Sequence, residues 1–195
     1  MGRPPRDLGA DATYHVMARG NRRQTIFRGD ADRVRFLEIY GEVCGRYRWT
    51  SLAYCLMGNH VHLAVRTADP NLSDGMRLLL GRYARTFNRT HGLSDHLFRS
   101  RFRAVRVESD RQMLAVLRYI ARNPLRGGLV TRPEEWPWSS FAATVGLALV
   151  PPCLDSDAVL ALLHPNPGPA RALLRSLVED DARPPEGAAA LDARV

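Results

Sequence analysis

Two histidines one residue apart, His60 and His62, lie in CLMGNHVHLAV (Cys55 to Val65), between the turn dipeptide Gly58-Asn59 and an apolar run. A strand here sends successive side chains to opposite faces, so His60, His62 and Ala64 share one face and Val61, Leu63 and Val65 the other. The aliphatic face supplies core. The imidazoles are left side by side, about 6 to 7 Å apart at their Cα atoms from the strand rise. Two neutral ring nitrogens at that separation can converge on one divalent cation, and they need a third ligand from elsewhere to hold it well. A strand histidine is also at home as a half-buried polar residue, so the pair permits a metal site without establishing one.

A second pair lies downstream in LRYIARNPLRGG, where Tyr119 and Asn123 are four apart. They stack on one face of a helix expected to start near Asp110, whose residues Met113, Leu114, Leu117 and Ile120 form an apolar stripe. A phenol beside a metal-bound phosphate is a competent nucleophile, because the cation draws charge from phosphorus and favours the phenolate. An amide oxygen one turn further on can complete the coordination. Read locally, Tyr119 also suits the rim of a helix packing. Asn123 also suits a turn, since Asn123-Pro124 is expected to close the helix: the residue before proline avoids the α region.

The elements that must position these groups follow from patterning. Thr13 to Ala18 alternates as a short strand, followed by the basic turn RGNRR. A helix is expected from Asp30 through Val34, Leu37, Tyr40 and Cys44, ending at Gly45. Trp49 to Met57 and His60 to Arg66 form strands around Gly58-Asn59. Asn71 or Ser73 caps a long helix through Met76, Leu79, Leu80, Tyr83 and Phe87 to His91-Gly92. Phe98 to Val107, FRSRFRAVRV, alternates apolar and basic residues as an extended segment, and Ser139 to Val145 adds a helical turn or two. Beyond Gly146 the chain is interrupted by Pro151, Pro152, Pro165, Pro167 and Pro169, with short helices expected at Asp155 to Leu163 and Ala170 to Val178. Arg183 to Val195 has no pattern.

The chain's 195 residues suit one domain with some extra length. No apolar stretch approaches the roughly 20 residues of a bilayer span, and MGRPPRDLGAD lacks the apolar centre of a secretory signal, so a cytoplasmic protein is expected. Three scattered cysteines, Cys44, Cys55 and Cys153, make no disulfide framework or CxxC pair. All 28 basic residues are arginine and the net charge is +8. Residues 1 to 146 carry 24 Arg against 13 acidic residues, or +11, and residues 147 to 195 carry 4 against 7, or −3. A positive field so concentrated suits a polyanionic partner, which guanidinium groups grip bidentately through phosphate oxygens. Arg22 and Arg23, Arg82, Arg85 and Arg89, and Arg99, Arg101 and Arg103 lie among Phe27, Tyr83, Phe87, Phe98 and Phe102. They are candidates for a DNA backbone, while most of the rings are expected to fill core.

Five blocks in order, MGNHVHLAV, RYARTFNRTHG, DHLFRSRFRAV, LRYIARNPLRGGLV and WPWSSF, resemble the single-tyrosine HUH transposases, in particular the REP-associated tyrosine transposases of bacteria. The resemblance covers about residues 13 to 146. It implies an α+β fold, an antiparallel β-sheet flanked by helices in the ferredoxin-like or RRM-like manner, with a C-terminal extension. Residues 1 to 12 would be a tail, 13 to 146 the transposase domain, and 147 to 195 an extension that is partly helical or disordered. It further implies that His60 and His62 bind Mg²⁺ or Mn²⁺, that Asn123 offers the third polar ligand, and that Tyr119 attacks a phosphodiester of single-stranded or hairpin DNA. The products would be a 5′-phosphotyrosyl enzyme and a free 3′-hydroxyl, in a nucleoid-associated cytoplasmic protein acting as monomer or homodimer.

Gly58 stands where relatives often have proline, which concerns the turn and not the chemistry. Of the other tyrosines, Tyr14, Tyr40, Tyr47 and Tyr54 fall in apolar contexts, and Tyr83, in the arginine-rich helix, is the rival nucleophile. Two alternatives remain at this point. One is a domesticated DNA-binding protein that recognises hairpin or repeat DNA without cutting it. The other is a metal-dependent phosphodiesterase or replication initiator with a water nucleophile.

Overall fold

Among residues 9 to 180, which the computed structural model describes, the chain forms four strands and six α-helices. Strand β1 (Ala12–Arg19) leads into α1 (Asp30–Tyr47). The hairpin β2 (Trp49–Leu56) and β3 (His60–Thr67) is followed by α2 (Leu72–His91), and β4 (Arg103–Val107) by α3 (Asp110–Arg126). Then come α4 (Phe141–Thr144), α5 (Ser156–Ala161) and α6 (Pro167–Glu179). Most of the expected tail, residues 1 to 8, and the stretch Arg183 to Val195 lie outside the described residues.

All strand pairs are antiparallel and the order is β2-β3-β1-β4. This is the β-α-β-β-α-β arrangement of a ferredoxin-like sheet. Tyr14, Val16 and Ala18 of β1, Tyr54 and Leu56 of β2, and Val61, Leu63 and Val65 of β3 point to one face. There they meet Phe36, Ile39 and Tyr40 of α1 and Met76, Leu79 and Tyr83 of α2. The opposite face carries Ala53, Cys55 and Ala64 and is covered by Met113, Val116, Leu117, Tyr119 and Ile120 of α3. Val159 and Leu160 of α5 and Ala170, Leu174 and Val178 of α6 close this second core. The central strand β3 is therefore dry on both sides, and one row of its side chains is polar.

Several boundaries differ from the sequence pattern, each for a local reason. The helix α1 runs past Gly45 to Tyr47, because Arg48 takes the left-handed turn (φ 55°) and returns its N–H to Cys44 O. The helix α3 does not close at Asn123-Pro124 but continues to Arg126. Proline removes only its own amide from the ladder, and at the end of the helix Gly127 N–H still reaches Asn123 O at 3.0 Å. Asn123 thus keeps helical backbone and stays in register with Tyr119. Of the expected extended run Phe98 to Val107, only Arg103–Val107 is strand. Leu97 and Phe102 turn into the core on the α2 side, which bends the chain between them.

The turn after β1 holds the rim of the sheet next to His60. Gly20 N–H donates to Asn59 O at 2.8 Å, and Gly20 bridges Phe98. A Cβ at Gly20 would meet Gln24 O at 2.2 Å and the Ile26 side chain at 2.9 Å. Gly20→Ala should therefore lower stability by about 1 to 3 kcal/mol, the usual cost of forcing atoms into packed space. Urea unfolding of the variant against the parent measures it.

Candidate active site

Cross-strand register fixes the site's neighbours. His62 lies opposite Cys55 on one side and Met17 on the other, and Met17 in turn lies opposite Arg103. His60, two residues back, lies opposite Arg19. Alternation therefore puts His60, His62, His15 and Arg19 on the face that α3 covers. From α3, Tyr119 and Asn123 come down on these rings one helical turn apart. His62 and Tyr119 are 0% and 2% exposed, so both groups sit in a water-poor space.

The two imidazoles stand at right angles (88°) with centroids 5.1 Å apart. The Tyr119 ring is edge-on to His62 at 5.3 Å and to His15 at 5.5 Å, and the Arg126 guanidinium lies over the Tyr119 ring at 5.1 Å. His60, His62, Tyr119 and Asn123, widely separated in sequence, are brought together within one chain.

Hydrogen bonding shows what these groups offer a ligand. Asn59 donates its Nδ2 to Arg23 O (3.1 Å), which aims its Oδ1 at His60 Nδ1, 2.7 Å away. Asn123 likewise donates Nδ2 to Tyr119 O (3.5 Å) and presents Oδ1 to His60 Nε2 at 3.2 Å. A neutral imidazole has a single N–H. Given to Asn59, it leaves His60 Nε2 facing Asn123 Oδ1 lone pair to lone pair, a contact that an added proton or a cation relieves.

On His62, Nδ1 is 3.1 Å from His15 Nε2, while Nε2 is buried with no hydrogen-bond partner. An unmet buried polar atom costs about 1 to 3 kcal/mol and calls for an explanation. Two imidazole nitrogens and an amide oxygen are thus available on one surface, a donor set that fits a divalent cation while leaving positions open for phosphate oxygens. Among the described residues no three His, Cys, Asp or Glu side chains are disposed to hold a metal.

The family described as Transposase IS200 like matches residues 10–123, a stretch that contains both histidines, Tyr119 and Asn123. The chain belongs to this transposase family. A Haemophilus influenzae protein named as a REP-associated tyrosine transposase is 24% identical over 127 residues, covering 60% of this chain and 72% of that one. Among solved structures, a REP-associated tyrosine transposase bound to a REP hairpin superposes with a TM-score of 0.64 at 20% identity, over 80% of this chain and 92% of the other. That likeness shows a shared α+β fold.

Elsewhere in this transposase, the rival Tyr83 is buried, and its hydroxyl donates to Ile26 O. That commits it to the core. Arg22 and Arg23 are exposed on the turn after β1, and Arg99 follows at the same end of the sheet, its N–H on Arg19 O at 3.0 Å. Arg85 and Arg101 line one groove of about 670 Å³ between α2 and residues 94 to 102, floored by Met76, Leu80 and Phe102. Arg89 is exposed near the end of α2, whereas Arg82 pairs with Glu42 of α1. Of the eight arginines read from the sequence, Arg103 alone belongs to the cross-strand row of His62. Among the described residues no helix is long and apolar enough to cross a membrane.

Three site residues escaped the sequence reading: His15, Arg19 and Arg126. The period of two in TYHVMAR puts His15 and Arg19 on one face, and Arg126 falls three residues after Asn123 and seven after Tyr119, a helical spacing. Both signals were present, but neither says which strand or helix lies opposite.

Burial first, and then His15, His60, Arg19 and Arg126, hold the His62 pKa well below its ordinary 6.5. The unfolded chain therefore takes up a proton at His62 near pH 6.5 that the folded chain refuses. The stability associated with this group is complete above that pH and is lost as pH falls beneath it, at up to about 1.4 kcal/mol per pH unit. Urea unfolding of metal-free protein on either side of pH 6.5 should show the loss, and His62→Gln should show a shallower dependence.

Proposed function

We propose that the protein is a single-strand DNA endonuclease and strand transferase of transposition, with Tyr119 as nucleophile and His60, His62 and Asn123 as the ligands of Mg²⁺ or Mn²⁺. One observation carries this reading: Tyr119 lies edge-on to His62, whose buried Nε2 has no partner. A nucleophile and a waiting metal donor face each other across a dry interface.

The bound cation would neutralise phosphate charge and make phosphorus more electrophilic. The Tyr119 oxygen forms the new bond to phosphorus as the bond to the 3′ oxygen breaks. The phenolic proton leaves and the departing 3′ oxygen gains one, giving a 5′-phosphotyrosine and a 3′-hydroxyl. Attack by a 3′-hydroxyl on that phosphotyrosine restores a phosphodiester, so strand transfer needs no other energy source. Arg126, over the phenol ring, stabilises negative charge developing there, and Arg19 and Arg103 extend that positive field along the sheet. Asn123 is carried at a fixed height above His60 by the helix that carries Tyr119.

The substrate proposed is single-stranded DNA flanking a hairpin. The solved relative holding a REP hairpin supports it, as do the exposed Arg22, Arg23, Arg85, Arg89, Arg99 and Arg101. Because His60, His62, Tyr119 and Asn123 meet within one chain, a monomer would carry a complete site, working at the nucleoid in the cytoplasm.

The test is a covalent protein-DNA adduct on a hairpin oligonucleotide with a single-stranded flank. Wild type should form it with Mn²⁺ or Mg²⁺, lose it on chelation and regain it on adding Mn²⁺, and Tyr119→Phe should form none. Gel retardation by wild type without an adduct at any metal concentration would favour a non-cleaving binding protein. Cleavage that survives Tyr119→Phe would favour a water nucleophile.

A further inference from the structure

The site contains a third histidine with no place in the proposed chemistry. His15 is 1% exposed, in the middle of β1, and it touches both partners of the proposed reaction. Its Nε2 is 3.1 Å from His62 Nδ1, with ring centroids 5.2 Å apart, and its ring meets the Tyr119 ring edge-on at 5.5 Å. It lies diagonally across the β1-β3 ladder from His62, since His15 opposes Ala64 and Met17 opposes His62. Diagonal side chains on one face of antiparallel strands are within reach of each other when they are long or aromatic. Packing alone would be satisfied by any ring here, whereas the nitrogen-to-nitrogen contact is specific.

We propose that His15 is a positioning residue: by accepting a hydrogen bond from His62 Nδ1, it fixes the tautomer and ring orientation of His62 so that Nε2 presents its lone pair to the cation. This inference rests on the metal-binding reading of His60 and His62.

The assignment follows from counting protons. The contact is one donor to one acceptor, so one nitrogen of the pair carries hydrogen. If His62 Nδ1 accepted, the proton of His62 would sit on Nε2, leaving a buried donor unmet and a ligand position blocked. If His62 Nδ1 donates, Nε2 keeps a lone pair, and His15 carries its own proton on Nδ1. Only the second arrangement leaves His62 able to bind a cation. Asn59 Oδ1 does the same for His60 from the adjoining turn. The two imidazoles are thus oriented by an amide and by a second imidazole. Outer partners of ligating histidines typically govern metal affinity by about 10- to 100-fold.

Two substitutions separate the hydrogen bond from the packing. His15→Gln keeps an acceptor near the position of Nε2 and loses the ring. His15→Phe keeps a ring against Tyr119 and His62 and loses the acceptor. Two readouts are applied to each full-length, folded protein: Mn²⁺ binding by calorimetry, and long-range ¹H–¹⁵N correlation of the metal-free His62 ring. Wild type and His15→Gln should show the His62 proton on Nδ1 and similar Mn²⁺ affinity. His15→Phe should lose the single tautomer and bind Mn²⁺ about 10- to 100-fold more weakly.

The inference is overturned if metal-free wild type carries the His62 proton on Nε2, or if Phe matches wild type while Gln does not. It is also overturned if Mn²⁺ affinity is unmoved by His15→Phe yet lost on His62→Ala, which leaves the metal reading standing. Wild type binding Mn²⁺ no better than His62→Ala would instead sink the metal reading, while the tautomer measurement still reports on the His15 contact.

Discussion

A strand buried on both faces leaves its polar side chains no water to turn to, so each of their atoms must find a partner inside the protein. Strand β3 is such a strand. On the side of α1 and α2, Val61, Leu63 and Val65 meet that demand with hydrocarbon. On the side of α3, His60 and His62 cannot, and the surroundings are arranged around them: Asn59 from the preceding turn, Asn123 from the helix, His15 from the next strand. The matching stops at two ring nitrogens: His60 Nε2, which faces an acceptor on Asn123, and His62 Nε2, which is left unmet beside a tyrosine. A departure from full matching is where a ligand is proposed to enter, since local rules tend to be broken at functional sites.

The parts of the site that depend on a single element were legible in the sequence. A period of two placed His60 and His62 on one face, and a helical period placed Tyr119 and Asn123 on one face. That those faces look at each other is a matter of topology, and no local pattern contains it; family resemblance supplied it. His15 went unread for the same reason. In TYHVMA it is one histidine in a strand, and its partner is 47 residues away on a neighbour that the strand does not specify. Pro124 marks a helix end in the sequence, but it falls in the last turn, where the loss of one ladder bond is tolerated and α3 runs on to Arg126. The alternation of FRSRFRAVRV is genuine, yet only Arg103–Val107 is strand, because Phe102, like Leu97 just before the run, has a core to enter.

The arginine excess reads differently once each guanidinium is placed. A good share of it is structural. Arg82 pairs with Glu42, and Arg33 lies among the rings of Phe27, Trp136 and Trp138. A planar, weakly hydrated cation tolerates such surroundings better than an ammonium would. The exposed guanidinium groups are therefore fewer than the arginine count suggests, and those named above are distributed over the turn after β1, the α2 groove and the bend before β4. The cations nearest the phenol and the histidines, Arg126 and Arg19, were not the ones that stood out in the sequence.

Arginines also tie the two ends of the fold together. Arg122 on α3 donates to the carbonyls of Val178, Glu179 and Asp180, and Arg118 donates to that of Asp180. These are the orphan carbonyls at the end of α6, the negative pole of its dipole, so the cations are well placed. The helix bearing Tyr119 is consequently held from two directions, by the sheet beneath it and by α6 behind it. In mechanical terms the proposed nucleophile rides on a stiff mount. Sliding or lifting α3 would strip several charged hydrogen bonds at once, whereas turning the phenol about its own side-chain torsions disturbs none of them. Turning the phenol instead breaks its ring contacts with His15, His62 and Arg126, so the position of Tyr119 is set by the sheet, by its ring neighbours and, through Arg118 and Arg122, by the segment after Gly146.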